Sequence, residues 1–327
     1  MNEQQPESRY LRVSELGVLR RLRFVPRGKV IGRYAGRHRS DRFGRSVEFA
    51  DYRQFVPGDT PGDVDWKVYG RSDRLYVKRF EMQTEVSAVL VVDASASMGY
   101  AGVAGKKARP RKSWLGGWTS RQRGVGVDDG PVSKYDHAAK LASTMAFMLV
   151  QQQDRVGLAI AREGLEAMVE PAGGWRQARA VVSTLEAHKP GAWRQPSRLG
   201  EALEAVGRRL RRRRGVVIVL SDLHDESGPV LRGLRLLRHA GHEAAVFHVL
   251  HGDELALPSW GQAVVVDSES GRRLRLSEPA MRAAYVQKLA DWRRRWASDL
   301  RGMGVDYAAA TMDLPYLESL RGYLAAR

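Results

Sequence analysis

The chain has 327 residues and no cysteine, so disulfides, thiolate metal sites and a cysteine nucleophile are excluded. No stretch reaches the ~18 uninterrupted apolar residues that a membrane-spanning helix needs. The polar start, Met1 to Glu7, lacks the apolar core of a signal peptide. Together these absences make a cytoplasmic protein the expectation. Signatures of catalysis are missing as well. There is no Gly-x-Ser-x-Gly elbow and no P-loop lysine motif, and Gly124-Val125-Gly126 lacks the spacing of a phosphate-binding loop. A dehalogenase-type phosphatase would need a second aspartate two residues after Asp93, where Ser95 stands. The chain is therefore read as non-enzymatic. Acidic residues are also in deficit, 37 against 54 basic, for a net charge of +17.

Hydrophobic residues make up 43% of the chain, ample for a true core in one large domain or two ordinary ones. The most informative run is Val89-Leu90-Val91-Val92, which stops at Asp93-Ala94-Ser95-Ala96-Ser97. Four consecutive aliphatics predict a strand buried on both faces, as in a parallel sheet flanked by helices. Ligands bind such sheets at the carboxyl ends of their strands. A second run, Val216 to Leu220, ends likewise in Ser221-Asp222, and Ser197 stands just before a predicted helix. Each of these residues alone has a plainer use; a serine before a helix is most often its N-cap. Two carboxylates and three hydroxyls at one sheet edge form an all-oxygen set suited to a hard cation rather than zinc. His239, His242, His248 and His251 are read as turn and surface histidines, not as a zinc cluster.

Asp93-x-Ser95-x-Ser97, with Ser197 and Asp222, resembles the metal-ion-dependent adhesion site of von Willebrand factor A domains. Ser197 stands where that family usually has threonine. The resemblance implies a metal held by Asp93, Ser95, Ser97, Ser197 and Asp222, namely Mg²⁺, with Mn²⁺ or Ca²⁺ as the other candidate ions. It also implies one coordination position left for a partner's Asp or Glu. Upstream, Val47 to Asp59, Val64-Asp65-Trp66-Lys67, Arg71 and Leu75 to Glu81 resemble the leader of the DUF 58 family, which precedes a von Willebrand-type domain. Asp154-Arg155-Val156-Gly157-Leu158 and Gly241-His242-Glu243 fit the same family. That resemblance implies an adaptor or co-chaperone acting with a MoxR-type AAA+ ATPase in protein assembly or maturation.

The expected organisation is a tail at 1–15, a leader at 16–85 and a von Willebrand factor A-like domain at 86–327. The fold class is α/β, a doubly wound and mainly parallel sheet flanked by helices, after an irregular leader containing β structure. Pro57-Gly58 predicts a type II turn, since Pro fixes φ and Gly accepts positive φ. Trp66 is read as a packing anchor, and Arg53, Asp59, Asp65 and Arg71 as ion-pairing residues of the turns. Strands are expected at 86–92, 155–161, 165–169, 216–221, 244–250 and 305–311. Helices are expected at 133–152, 174–187, 199–212, 229–240, 279–301 and 315–325, with a hairpin across Ser270-Gly271. Residues 100–132 form a glycine-rich basic insertion, read as a tolerated loop with a lid or docking arm as the sharper alternative. Basic residues gather at Arg20 to Arg45, Lys106 to Arg123 and Arg208 to Arg214. No nucleic-acid module accompanies them. A nucleic-acid or anionic-membrane binder with a vestigial metal motif is accordingly the second reading.

Overall fold

A computed structural model describes residues 8–11, 17, 22–25, 47–59, 61–82, 86–102, 132–191, 196–210, 215–257, 263–276 and 279–327. Most of the 100–132 insertion, Arg211 to Arg214 and most of the Arg20 to Arg45 stretch lie outside the described residues. Two compact units are present: Gly28–Glu85, and Met1–Arg27 together with Val86–Arg327.

In the smaller unit, β1 (Val47–Gln54) pairs antiparallel with β2 (Tyr76–Met82). The expected turn forms. Asp59 N donates to Val56 O at 3.0 Å, and Gly58 has φ 111°. Arg53 pairs with Asp59 at 2.6 Å. Asp65 caps α1 (Trp66–Ser72) by accepting from Lys67 N and Val68 N, and it also receives the Tyr52 hydroxyl. Trp66 is 60% exposed, which corrects the reading of it as a packing anchor. Its position at the first turn of a short helix with no buried residue turns the ring outward, edge-on to Tyr69.

The larger unit is built on a six-stranded sheet in the order β10-β7-β6-β3-β4-β5. Its strands are β3 (Ser87–Asp93), β4 (Arg155–Ala161), β5 (Leu165–Ala172), β6 (Val216–Ser221), β7 (Glu243–Leu250) and β10 (Asp306–Thr311). All neighbours are parallel except β4 and β5, which pair antiparallel, and β5 ends the sheet at one edge. Counted along the chain, the order is that of a doubly wound sheet reversing between β3 and β6. The crevice at that reversal is the ligand-binding position of such sheets.

Successive residues of β3 point to opposite faces, and each face has its own core. Ala88, Leu90 and Val92 pack with α2 (Lys134–Gln151), α3 (Trp175–Ala187) and α8 (Tyr316–Ala326). Val89 and Val91 pack with α4 (Leu199–Leu210), α5 (Ser227–His239) and α7 (Pro279–Gly302). Helix α2 opens on a capping box, Ser133 with Asp136. Helices α4 and α5 approach at glycines: a Cβ on Gly233 would stand 2.7 Å from Leu203 Cβ. Tyr10 and Phe24 are also buried in the first core. Tyr10 donates to Asp136 at 2.9 Å, and the Arg327 guanidinium lies over the Phe24 ring. A short hairpin, β8 (Ala263–Val266) with β9 (Arg273–Leu276), and α6 (Gly252–Leu255) complete this unit.

Candidate metal centre

The end of β3 is shaped by its own backbone. Ala94 N bonds to Ala161 O of the neighbouring strand at 2.7 Å, and the chain then turns through one 3₁₀ turn, Ala96–Gly99. Met98 N donates to Ser95 O and Tyr100 N to Ser97 O, both at 3.1 Å. This compact turn sets the Ser95 and Ser97 hydroxyls 3.0 Å apart. Asp93 Oδ1 accepts from Ser95 N at 2.8 Å, and Oδ2 accepts from the Ser221 hydroxyl at 2.5 Å. Across the crevice, Leu223 takes a left-handed conformation, φ 55°, that is uncommon for leucine. Its N–H donates to Ser221 Oγ at 2.9 Å, so Ser221 holds both the bent loop and Asp93.

Asp222 is as buried as Asp93 but differs in its partners. Its Oδ2 accepts from the Lys134 ammonium at 2.7 Å, and its Oδ1 from His224 N at 3.2 Å. Lys134 also donates to Glu254 Oε1 at 2.6 Å, and His224 Nε2 lies 3.6 Å from the same oxygen. Burial works against the Asp222 charge, but Lys134 and then His224 outweigh it and hold this carboxyl well below the usual range. Burial likewise opposes the Lys134 charge, yet Asp222 and Glu254 keep its pKa raised. Asp93 has only neutral partners. Burial, then the Asp222 charge, pushes its carboxyl up to about 7.

The structure therefore brings Asp93, Ser95, Ser97 and Asp222 together at the reversal of the sheet. Ser197 stands beside them on the loop before α4, but its hydroxyl turns to Asp225 Oδ2 at 3.3 Å. Asp225 also accepts from Leu199 N at 2.7 Å, filling the capping role that a serine before a helix usually takes. Among the described residues, no group of three or more His, Cys, Asp or Glu side chains is arranged to hold a metal. Metal binding here would depend on hydroxyls as well as carboxylates. The donor set fits a hard cation: it is all oxygen, and Asp93 is a buried acid lacking a cationic partner among the described residues. The fit has one qualification in the chain itself, since Lys134 already occupies one oxygen of Asp222.

The four histidines do not converge. His239 is exposed on α5, and His251 caps α6. His248 is buried between Asp222 O, at 3.0 Å, and the Tyr307 hydroxyl, at 2.8 Å. Four residues of the site were not among those picked from sequence: Lys134, Ser221, His224 and Glu254. Ser221 adjoins Asp222 and so carried a signal. Lys134 offered only a charge at the first position of a helix that carries other polar residues as well.

Sheet order, strand-end acid and hydroxyl turn define a doubly wound α/β protein of the von Willebrand factor A-like class. The chain belongs to the family described as protein of unknown function DUF58, whose model matches residues 51–112 and 120–295. It is 26% identical over 312 residues to the uncharacterized protein Rv1480 of Mycobacterium tuberculosis, covering 94% of this chain and 88% of that protein. The same figures hold for the uncharacterized protein Mb1516 of Mycobacterium bovis. Among solved structures, similarity extends to an aerotolerance-related membrane protein from Bacteroides fragilis, at 14% identity and a TM-score of 0.45, covering 74% of this chain and 100% of that one. A von Willebrand factor type A protein from Catenulispora acidiphila is similar at 13% identity and a TM-score of 0.36, covering 77% of this chain and 44% of the other. Among the described residues, no helix is long and apolar enough to cross a membrane.

Proposed function

We propose that the protein is a non-enzymatic, metal-dependent adaptor whose partner docks at the reversal of the sheet. The observation that carries this reading is Asp93, a buried carboxylate with only neutral hydrogen-bond donors, set against Asp222 and beside the paired Ser95 and Ser97 hydroxyls. Asp93, Ser95, Ser97 and Asp222 would hold Mg²⁺, with Ser197 adjoining. A bound divalent ion supplies a positive centre in a partly dry crevice, where a single partner carboxylate is worth most. The chain's own residues preorganise that crevice. Ser221 fixes Asp93, the 3₁₀ turn fixes the two hydroxyls, and Lys134 fixes Asp222. The family resemblance supplies the partner class, a MoxR-type AAA+ ATPase or a client protein bearing an exposed acid, in the cytoplasm.

The test is binding of a purified MoxR-type AAA+ ATPase to wild type and to Asp93→Ala, in Mg²⁺ and in EDTA. Retention by wild type in Mg²⁺ but not by folded Asp93→Ala supports the reading. The variant arm matters most, because EDTA also strips the ATPase of its own metal. Equal retention in all arms overturns it. A steep loss with salt that ignores both chelator and variant would move the function to the basic surfaces.

A further inference from the structure

The β8–β9 hairpin carries an acid that no role so far described uses. Its turn is tightly fastened. Gly271 N donates to Asp267 O at 2.9 Å, Asp267 N to Arg272 O at 2.9 Å, and Glu269 N to Asp267 Oδ1 at 3.0 Å. Gly271 meets the left-handed requirement of the turn with φ 71°. The Glu269 side chain leaves this turn toward the candidate metal centre, and its Oε2 accepts from Ser197 N at 3.3 Å. The other oxygen, Oε1, is buried and has no hydrogen-bond partner among the described residues. Burial, and after it the charges of Asp222 and Asp225, push this carboxyl up, while the Ser197 N–H and the nearby Ser97 hydroxyl oppose that rise, so it lies within the field of the site. An unsatisfied buried carboxylate oxygen is costly, and an ion is among the standard explanations for one in a native fold.

We infer that Glu269, which does not form a three-acid group with Asp93 and Asp222 in the described arrangement, is drawn in from the β8–β9 hairpin on metal binding as the chain's own acidic ligand at the candidate metal centre. This inference rests on the metal reading of the preceding subsection. It deepens that reading, because a partner carboxylate must then compete with Glu269 and the hairpin becomes an internal occupant of the docking position. Moving the hairpin, rather than loading metal, exposes the site.

The test uses Mn²⁺ as probe and the full chain. Affinity is read from the electron paramagnetic resonance signal of free Mn²⁺. Exchangeable waters on the bound ion are read from water-proton relaxation. Wild type, Asp93→Ala, Glu269→Gln and Glu269→Ala are compared, each checked for folding by circular dichroism. Wild type is expected to bind one Mn²⁺ and Asp93→Ala none. Both Glu269 variants should bind about tenfold more weakly, since ligand charge sets affinity at such sites. Relaxation enhancement should rise in both variants, as water replaces the lost carboxylate. Mn²⁺ binding by wild type with no gain of water in the Glu269 variants overturns this inference and leaves the metal reading standing. No Mn²⁺ binding by folded wild type overturns both.

Discussion

Lys134 allows the electrostatics of the site to be tested without any partner. Its ammonium is 1% exposed, and it bridges Asp222, also 1% exposed, and Glu254, 17% exposed, at 2.7 and 2.6 Å. Lys134→Met keeps the apolar stem and removes only the charge, leaving two carboxylates facing one another in the crevice. Breaking a buried ion pair by removing one partner costs about 3–5 kcal/mol, because the surviving charge is left uncompensated. Against a typical total of about 5–15 kcal/mol, such a loss is severe. Urea unfolding in EDTA should therefore show a lower midpoint for Lys134→Met, with unchanged slope. Mg²⁺ should restore part of it. A ligand at one hundred times its dissociation constant adds about 2.7 kcal/mol. The gain should be larger in the variant than in wild type, since a repelling cation beside the site has gone. A loss under about 1 kcal/mol, the worth of an exposed pair, would refute the view that Lys134 is the standing counter-charge of Asp222. An equal response to Mg²⁺ in the two proteins would refute the coupling between Lys134 and the metal centre.

Gly233→Ala should destabilise by about 1–3 kcal/mol through overpacking, because the added Cβ would stand 2.7 Å from Leu203 Cβ and 3.0 Å from Gly200 O; urea unfolding measures this. Burial, aided by the Lys140 charge, pushes His137 down to about 4, against 6.5 when free. The unfolded chain thus takes up a proton first. Stability is complete above about pH 6.5 and falls as the pH drops toward 4, by up to ~3 kcal/mol at ~1.36 kcal/mol per unit. The pH dependence of unfolding should be flatter in His137→Leu, and an unaltered slope would sink the assignment. Tyr10→Phe removes one hydrogen bond, to Asp136 at 2.9 Å, and should cost about 0.5–1.5 kcal/mol. A full-chain Tyr10→Ala should lose more, near the ~3–5 kcal/mol of an emptied aromatic site. Equal, negligible effects would show that the segment around Tyr10 is not part of the core.

What was legible in the sequence was whatever lay within one element or at its end. Val89 to Val92 is apolar at every position because each face of β3 meets a separate core, and the run stops at Asp93 because the crevice begins there. The hydroxyls at Ser95 and Ser97 follow within a single turn, so their pairing needs no distant contact. A parallel, doubly wound sheet was implied by alternation of strands and helices, whereas the strand order, with β3 beside β6 and β5 antiparallel to β4, was not. Partners arriving from afar were not legible. Lys134 lies 88 residues from Asp222 and 120 from Glu254, and a lysine at the start of a helix ordinarily reads as solvated. Glu269 lies 72 residues from Ser197, in a turn whose local bonds gave no hint of its direction. Trp66 failed for the converse reason: a large apolar ring suggests a core, but a seven-residue helix with no buried side chain offers it none. Donor atoms can therefore be counted from a motif, whereas net charge at the site depends on topology. Asp93 and Asp222 look equivalent in sequence, yet Lys134 neutralises one and leaves the other without a cationic partner among the described residues. Because a second positive charge is needed at Asp93 and not at Asp222, an added cation should depend most on Asp93. Loss of metal on Asp93→Asn, with a smaller weakening on Asp222→Asn, is the order of effects that this asymmetry requires.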